Sequence, residues 1–277
     1  MVALRALFVT LPVYLSTCIR RYENRLLERQ LPARAPAQVL DWLTAQQPDV
    51  LALQETKMQD DEFPRAEIEA AGYQVRYSGQ KTYNGVALLS RAPAGGEIVT
   101  DLPGLDDPQR RVLGAQFGDV YVLDLYVPNG QEVGSDKYAY KLDWLEKLQA
   151  FIAAQLQRTP NLVVLGDFNI APDERDVYDP KAWENSVLFS PPERAAFQRL
   201  LGAGLADTFR LFEQPEKSYS WWDYRMNAFR RNIGLRIDHI LASAPLAAQC
   251  VSSTIDRETR KLERPSDHAP VIAEFRR

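Results

Sequence analysis

The chain has 277 residues, 45% hydrophobic and 25% charged, with a formal net charge of −4. That length and apolar share bound it to one large α/β domain or two small ones with a sizeable core. The mild acidity excludes a global basic field, though not a local basic patch, and two cysteines, Cys18 and Cys250, give neither a disulfide framework nor metal-ligand spacing, as suits a reducing, cytoplasmic setting.

In chain order, residues 6–18 are apolar, but thirteen residues with Pro12 among them are too few to span a bilayer. Arg5 gives this stretch the charged end of a weak signal peptide, yet no small-x-small cleavage site precedes Arg20-Arg21. Residues 22–37 show no period of 2 or 3.6 and carry two prolines and three arginines. From Gln38 the pattern changes: 38–47 predicts a helix with Leu40, Trp42 and Leu43 apolar, and 49–54 a buried strand. Further strands are predicted at 73–78, 85–90 and 119–127. The longest helix falls at 136–157, where Tyr138, Leu142, Leu145, Leu148 and Ile152 recur at helical spacing. A strand at 162–166 breaks at Asp167, a helix follows near 193–201, and strands at 236–242, 250–254 and 271–275 close the chain. Many short strands, few helices and long polar loops predict one domain of two packed sheets with helices outside.

Carboxylates and amides gather where the apolar strands stop. Glu55 ends LALQETK, Asp167 and Asn169 end VVLGDFN, Asp238 sits inside LRIDHIL, and Asp267 and His268 precede the last strand in ERPSDHAPV. A carboxylate in an apolar run is costly unless paired or bound to metal. Scattered Glu, Asp and Asn without a Cys–His cluster suit a hard cation such as Mg²⁺. With a histidine beside them, they suit metal-assisted phosphodiester hydrolysis. Each piece also has an ordinary reading: Glu55 as a solvated strand end, Asp167 and Asn169 as an Asx turn, and His268 as a satisfied core histidine. The aromatic stretch 219–225 is core by default, while aromatic–Arg interleaving also suits a nucleotide platform. A Ser-His-Asp esterase built on Ser266, His268 and Asp238 is disfavoured by the absence of a G-x-S-x-G elbow.

The motifs L-Q-E-T-K (53–57), Y-N-G-V-A (83–87), G-D-F-N-I-A-P (166–172), S-W-W-D-Y-R (220–225), G-L-R-I-D (234–238) and P-S-D-H-A-P (265–270) resemble, in order, those of the exonuclease III and abasic-endonuclease family. That family belongs to the wider exonuclease–endonuclease–phosphatase group, and the resemblance covers residues 38–277. The G-D-x-N and S-D-H motifs alone would identify only the wider group, whereas W-W-D-Y-R followed by G-L-R-I-D is specific to this branch. The resemblance implies a DNase I-like, four-layered α/β sandwich with two packed mixed sheets flanked by helices. It implies a Mg²⁺-dependent enzyme, Mn²⁺ being able to substitute. Such an enzyme acts as a monomer on double-stranded DNA bearing abasic sites or blocked 3′ ends, with no membrane partner.

By motif position, Glu55 resembles the metal-binding glutamate, and Asp167 the residue that positions or deprotonates the attacking water. Asn169 would orient that water or the phosphate, and both Asp167 and Asn169 would border the metal. Asp238 would pair with His268 and fix its tautomer, while Asp267 would be an additional metal or supporting carboxylate. Tyr126, in LYVPNG, matches a tyrosine at the scissile phosphate. Trp221, Leu235 and Ile237 fall where the family lines a pocket for a base-less sugar. Asn84, Arg225 and either Arg110 or Arg111 complete the substrate-binding set, the arginines in a sequence-independent role on phosphates. Two other readings stay open: a phosphatase of small phosphorylated molecules, and a DNA-binding protein without catalysis.

The family's first strand, ending in W-N-x-N-x-L-R, is absent before Gln38. One permitted back-translation of residues 22–37, read one nucleotide later, gives M-K-I-V-S-W-N-V-N-S-L-R-V-R-L-P and runs straight into Gln38. The expectation is therefore that residues 1–37 are an aberrant leader and out-of-frame segment, 38–277 being the catalytic domain. A chain made as written would then lack a central strand and its asparagine, and would be inactive.

Overall fold

The computed structural model describes residues 5–12, 37–105 and 107–276. Its twelve described strands form two six-stranded mixed sheets. Strands β1 (Arg5–Pro12), β2 (Val50–Gln54), β3 (Gln74–Ser78), β4 (Val86–Ser90), β11 (Cys250–Ile255) and β12 (Val271–Arg276) make the first, in the order β11-β12-β1-β2-β4-β3. The second has the order β5-β6-β7-β8-β10-β9. It comprises β5 (Gly95–Val99), β6 (Val112–Phe117), β7 (Val120–Tyr126), β8 (Leu162–Asp167), β9 (Leu205–Asp207) and β10 (Asp238–Ser243). Helices α1 (Ala37–Gln46) and α2 (Arg65–Ala70) precede the long α3 (Asp136–Arg158). The short α4 (Pro180–Trp183) leads to α5 (Pro191–Gly202), and single turns α6 (Ala228–Arg231) and α7 (Ala244–Ala247) follow.

The central strands β2, β4, β7 and β8 alternate their side chains between two apolar layers, so both their faces are covered and they read as continuous apolar runs. Val50 and Ala52 of β2 face Val122, Val163, Leu165 and Ile240 in the core between the sheets. Leu51 and Leu53, one residue out of phase, pack under Val39 and Leu43 of α1 and Ile68 of α2. On the opposite outer face Leu123 and Leu125 of β7 meet Trp144, Leu148 and Ile152 of α3 and Phe197 and Leu200 of α5. This is the expected four-layered sandwich. The helix α5 starts where Pro191 occupies its first turn and Ser190 and Glu193 form a capping box.

Several expectations shift. Asp238 opens β10 rather than lying inside it, because Arg236 and Ile237 pair with loop residues instead of β8. The helical spacing predicts Leu142 on the buried face of α3. That face instead carries Tyr138, Lys141, Trp144, Leu145, Leu148 and Ile152, with Leu142 only half-buried. Strand β6 has no counterpart in the sequence reading. Gly114 and Gln116 interrupt its apolar alternation, and Gly114 is needed because any side chain there would strike the Tyr121 hydroxyl.

The larger difference is at the first strand. Arg5–Pro12 lies parallel to β2, with Phe8 opposite Val50, and antiparallel to β12, with Thr10 opposite Val271. The sheet is therefore not one strand short. A central slot demands backbone pairing from both neighbours and an extended apolar run, and RALFVTLP supplies these without the expected motif. The segment 22–36, for which the shifted reading frame is argued, lies outside the described residues.

Candidate active site

Strands β2, β7, β8 and β10 end at one rim of the sandwich, and the sequence-predicted acidic residues sit there. Asp167, the last residue of β8, is the register partner of Asp238, the first of β10, and of Tyr126, the last of β7. Gly166 makes this convergence possible: at φ +138°, a side chain would run into the Leu125 carbonyl of the neighbouring strand. Oxygen and nitrogen atoms of Asp167, Asp238 and His268 lie within 4.8 Å of one another, and all three residues are buried.

Asp238 is fully buried, and its two carboxylate oxygens stand 3.1 and 2.9 Å from His268 Nδ1. A carboxylate only accepts, so Nδ1 carries the proton and Nε2 is left for the site. Burial alone would depress the His268 imidazole, but the charge and hydrogen bond of Asp238, with Asp267 and Asp167 behind them, push it up to about 10. For Asp167, burial is the largest cause raising the carboxyl to about 8; Asp238 and Glu55 add to it and His268 opposes. Asn169 at φ +49° donates its backbone N–H to Asp167 Oδ1 (2.8 Å) and its side-chain amide to Asp167 Oδ2 (3.0 Å).

Glu55, just past β2, accepts a hydrogen bond from the Tyr126 hydroxyl and lies 3.3 Å from Lys57 Nζ. Burial works to raise its carboxyl, but Lys57, Tyr126 and His268 together hold it below the ordinary carboxylate value. The Oδ1 of Asp267 is a buried oxygen without a hydrogen-bond partner, whereas the buried Oε2 of Glu55 has only its ion pair with Lys57. Both residues act electrostatically on His268 or are acted on by it. Oxygen donors of this kind, with no thiolate nearby, fit a hard divalent cation.

The substrate-binding candidates divide. Trp221 is half-exposed, bridges both Leu235 and His268, and donates its indole N–H to Asp267 Oδ2 (3.0 Å). Leu235 and Ile237 are buried with Ala171 and Phe189 in the apolar cluster against which Trp221 packs. Asn84 is mostly buried and donates to Gln80 and Gln109. Arg110 is exposed, whereas Arg111 lies over the Tyr126 ring and donates to Gln109 Oε1 and the Tyr126 carbonyl. Arg225 is exposed and forks onto Asp223. Tyr126, Asn169 and the acidic residues thus come together, Asn84 bonds with Gln80 and Gln109, and Arg225 and Arg110 stand at the surface.

Sequence reasoning missed three contributors. Asn129, in the VPNG turn after β7, donates to Asn169 Oδ1 at 3.0 Å. Ser220 Oγ accepts from the backbone N–H groups of Ile237 and Asp238, each at 3.1 Å. Lys57, two residues past Glu55, had only its place in LQETK to signal it.

Known proteins resemble this chain in sequence and fold. The pattern of the endonuclease/exonuclease/phosphatase family matches residues 26–268. Exodeoxyribonuclease III of Haemophilus influenzae is 38% identical over 243 residues, covering 83% of this chain and 91% of the relative. A structure of the 3′ phosphatase NExo from Neisseria bound to a product DNA hairpin superposes with a TM-score of 0.88 at 42% identity, covering 98% of this chain and 99% of that one. An AP endonuclease from Archaeoglobus fulgidus superposes with a TM-score of 0.85 at 33% identity, over 98% and 99% of the two chains.

Proposed function

The chain belongs to the endonuclease/exonuclease/phosphatase family, and from that premise we propose that it is a metal-dependent DNA-repair phosphodiesterase. Its activities are 3′-to-5′ exonuclease on duplex DNA, incision at abasic sites and removal of 3′-phosphates. The observation that carries this reading is the buried Asp167–Asp238–His268 cluster, set against Glu55 and Tyr126 at one rim of the sandwich. Support outside the chain comes from a 42%-identical 3′ phosphatase whose structure holds a DNA product.

Glu55, Asp267 with its open Oδ1, and the oxygens of Asp167 and Asn169 would hold Mg²⁺, Mn²⁺ being able to substitute. Bound there, the ion screens the phosphate and the developing charge on the leaving oxygen. Asp167, in its carboxylate form, takes a proton from the attacking water, and the burial that raises its pKa makes that carboxylate a stronger base. Asn169 directs that water by holding both Asp167 oxygens in place. Asp238 fixes His268 with its protonated Nδ1 turned inward, so that Nε2 faces the phosphate. Trp221 offers a flat surface beside the reacting sugar, and Arg110 and Arg225 offer charge to the DNA backbone. The protein works as a monomer in the cytoplasm; among the described residues, no helix is long and apolar enough to cross a membrane.

One observation favours the alternative of a DNA-binding protein without catalysis. The strand sequence RALFVTLP brings no asparagine to the slot beside β2, where the family's W-N-x-N motif would place one. Turnover of 3′-recessed, 3′-phosphate and abasic duplexes, with Mg²⁺ or with chelator, separates the readings. The nuclease reading expects Mg²⁺-dependent cleavage abolished by His268→Ala. Duplex binding without cleavage establishes the non-catalytic reading. Hydrolysis of small phosphate esters with no action on duplexes establishes the phosphatase.

A further inference from the structure

Lys141 is a fully buried cation one helix away from the reacting groups, and every proton of its ammonium is committed. It projects from the buried face of α3, where helical periodicity calls for an apolar residue. Its Nζ donates to the carbonyl of Asn169 (2.7 Å), to the carbonyl of Asn129 (3.1 Å) and to Glu193 Oε1. Glu193 in turn accepts from the backbone N–H groups of Leu188 and Ser190, both at 3.1 Å, and from the Ser190 hydroxyl. Neither residue reaches the rim itself. An ammonium in this setting is costly to bury, and three good acceptors are the minimum that satisfies it.

The two carbonyls belong to the two asparagines that hold the site together. Asn129 reaches Asn169 Oδ1, and the Asn169 amide reaches both Asp167 Oδ2 and the Val127 carbonyl. Asn169 does this from a left-handed backbone conformation, φ +49°, which its own sequence does not enforce. We propose that Lys141 is a positioning residue for hydrolysis. By tying the turn after β7 to the turn after β8, it fixes the left-handed Asn169 and, through it, the orientation of the Asp167 carboxylate. Glu193 supplies the counter-charge that lets Lys141 stay buried, and it is not itself needed for the positioning. The inference rests on the nuclease reading, because it assigns Asp167 and Asn169 their work.

Two substitutions divide the pair by role. Lys141→Met removes the donors to both carbonyls. Glu193→Gln removes the counter-charge and turns one of its two acceptor oxygens into a donor amide, but leaves both carbonyl acceptors of Lys141 in place; a neutral lysine amine keeps two N–H groups, enough for the Asn129 and Asn169 carbonyls. On a 3′-recessed duplex at saturating Mg²⁺, Lys141→Met should lower kcat about 10–100-fold, the usual effect of removing a supporting contact. Its KM for DNA should be unchanged, and Glu193→Gln should keep kcat within a few-fold despite lower thermal stability. Combined with Asn169→Ala, Lys141→Met should cost nothing further, since it acts through Asn169. Losses that multiply in the double variant, or an equal kcat loss in Glu193→Gln, would overturn the inference. A wild-type chain without turnover would sink the nuclease reading alone. Hydrogen–deuterium exchange over residues 127–131 and 167–171 then tests the clamp directly, expected faster in Lys141→Met and unchanged in Glu193→Gln; no difference between them refutes it.

Discussion

Asp167 and Asp238 stand side by side as register partners of adjacent antiparallel strands, and only one of them has a cation of its own. Asp238 holds the imidazolium of His268, and Asp167 is left with a carboxyl raised to about 8. The two like carboxylates share one buried site but not their partners: Asp238 faces the His268 ring, and Asp167 accepts from the Asn169 amide. Asp238→Asn turns that logic around: an amide can no longer stabilise the imidazolium or enforce protonated Nδ1. The expected loss in kcat is on the order of 10²–10⁴-fold with DNA binding retained. By NMR, the His268 titration should fall from about 10 toward the ordinary range. An unchanged histidine titration would show that Asp238 does not govern it.

His239, next along β10, is a separate, structural histidine and makes a pH prediction. Arg236 can only donate, so its contact at 3.0 Å makes Nδ1 the acceptor, and Nε2–H then donates to the Ile170 carbonyl at 2.8 Å. Burial first, then Arg236, depress this imidazole to about 4, although Asp207 and Asp176 oppose. Because the folded value lies below the ordinary one of about 6.5, the neutral ring's contribution is complete above pH 6.5. It is lost as pH falls through 4, for a total of about 3 kcal/mol. Urea unfolding at intervals from pH 7 to 4 should show this slope. His239→Gln, which cannot titrate, should flatten it, and a slope identical in both proteins would locate the acid sensitivity elsewhere.

Gly166→Ala should be among the most damaging single methyl additions in the chain. The new carbon would strike the Leu125 carbonyl, and φ +138° is closed to alanine. Both effects act one residue before Asp167. A loss of roughly 3 kcal/mol or more in unfolding free energy is expected, with turnover falling further than the folded fraction. Circular dichroism melting alongside the nuclease assay checks it; a variant of wild-type stability would mean the β7–β8 approach is looser than the geometry indicates.

We propose that residues 22–37 arise from a missing nucleotide and that the gene's native product begins M-K-I-V-S-W-N-V-N before Gln38. Resequencing codons 22–38 from source DNA should reveal one extra base. The in-frame protein should outperform the 277-residue chain by at least about 10²-fold in kcat if the restored asparagine touches the reacting phosphate. A frame confirmed as written, with full activity in the long chain, would defeat the proposal.

Much of the fold was legible because two packed faces make β2, β4, β7 and β8 near-continuous apolar runs. Glu55, Asp167, Asp238 and His268, each with an ordinary reading when taken singly, were legible because their motifs follow one another in order along the chain. Lys141 was hidden for the opposite reason. A lone lysine among Tyr138, Leu145 and Leu148 reads as surface until its three acceptors, from Asn129, Asn169 and Glu193, are seen to come from distant parts of the sequence. Arg111 could not be told from Arg110, since nothing local reveals that its guanidinium stacks on Tyr126. The strand at Arg5–Pro12 escaped because a slot defined by backbone pairing accepts sequences that share no motif.

That slot also sets a timetable. Strand β1 is held between β2, the next strand made, and β12, which emerges only after every other described element. A nascent chain can therefore assemble the second sheet on the ribosome, but one side of β1 stays unpaired until synthesis is nearly done. Such long-range closure slows folding and leaves an open edge exposed to other nascent chains. Chaperone dependence during translation, rather than final stability, is where this architecture is most vulnerable.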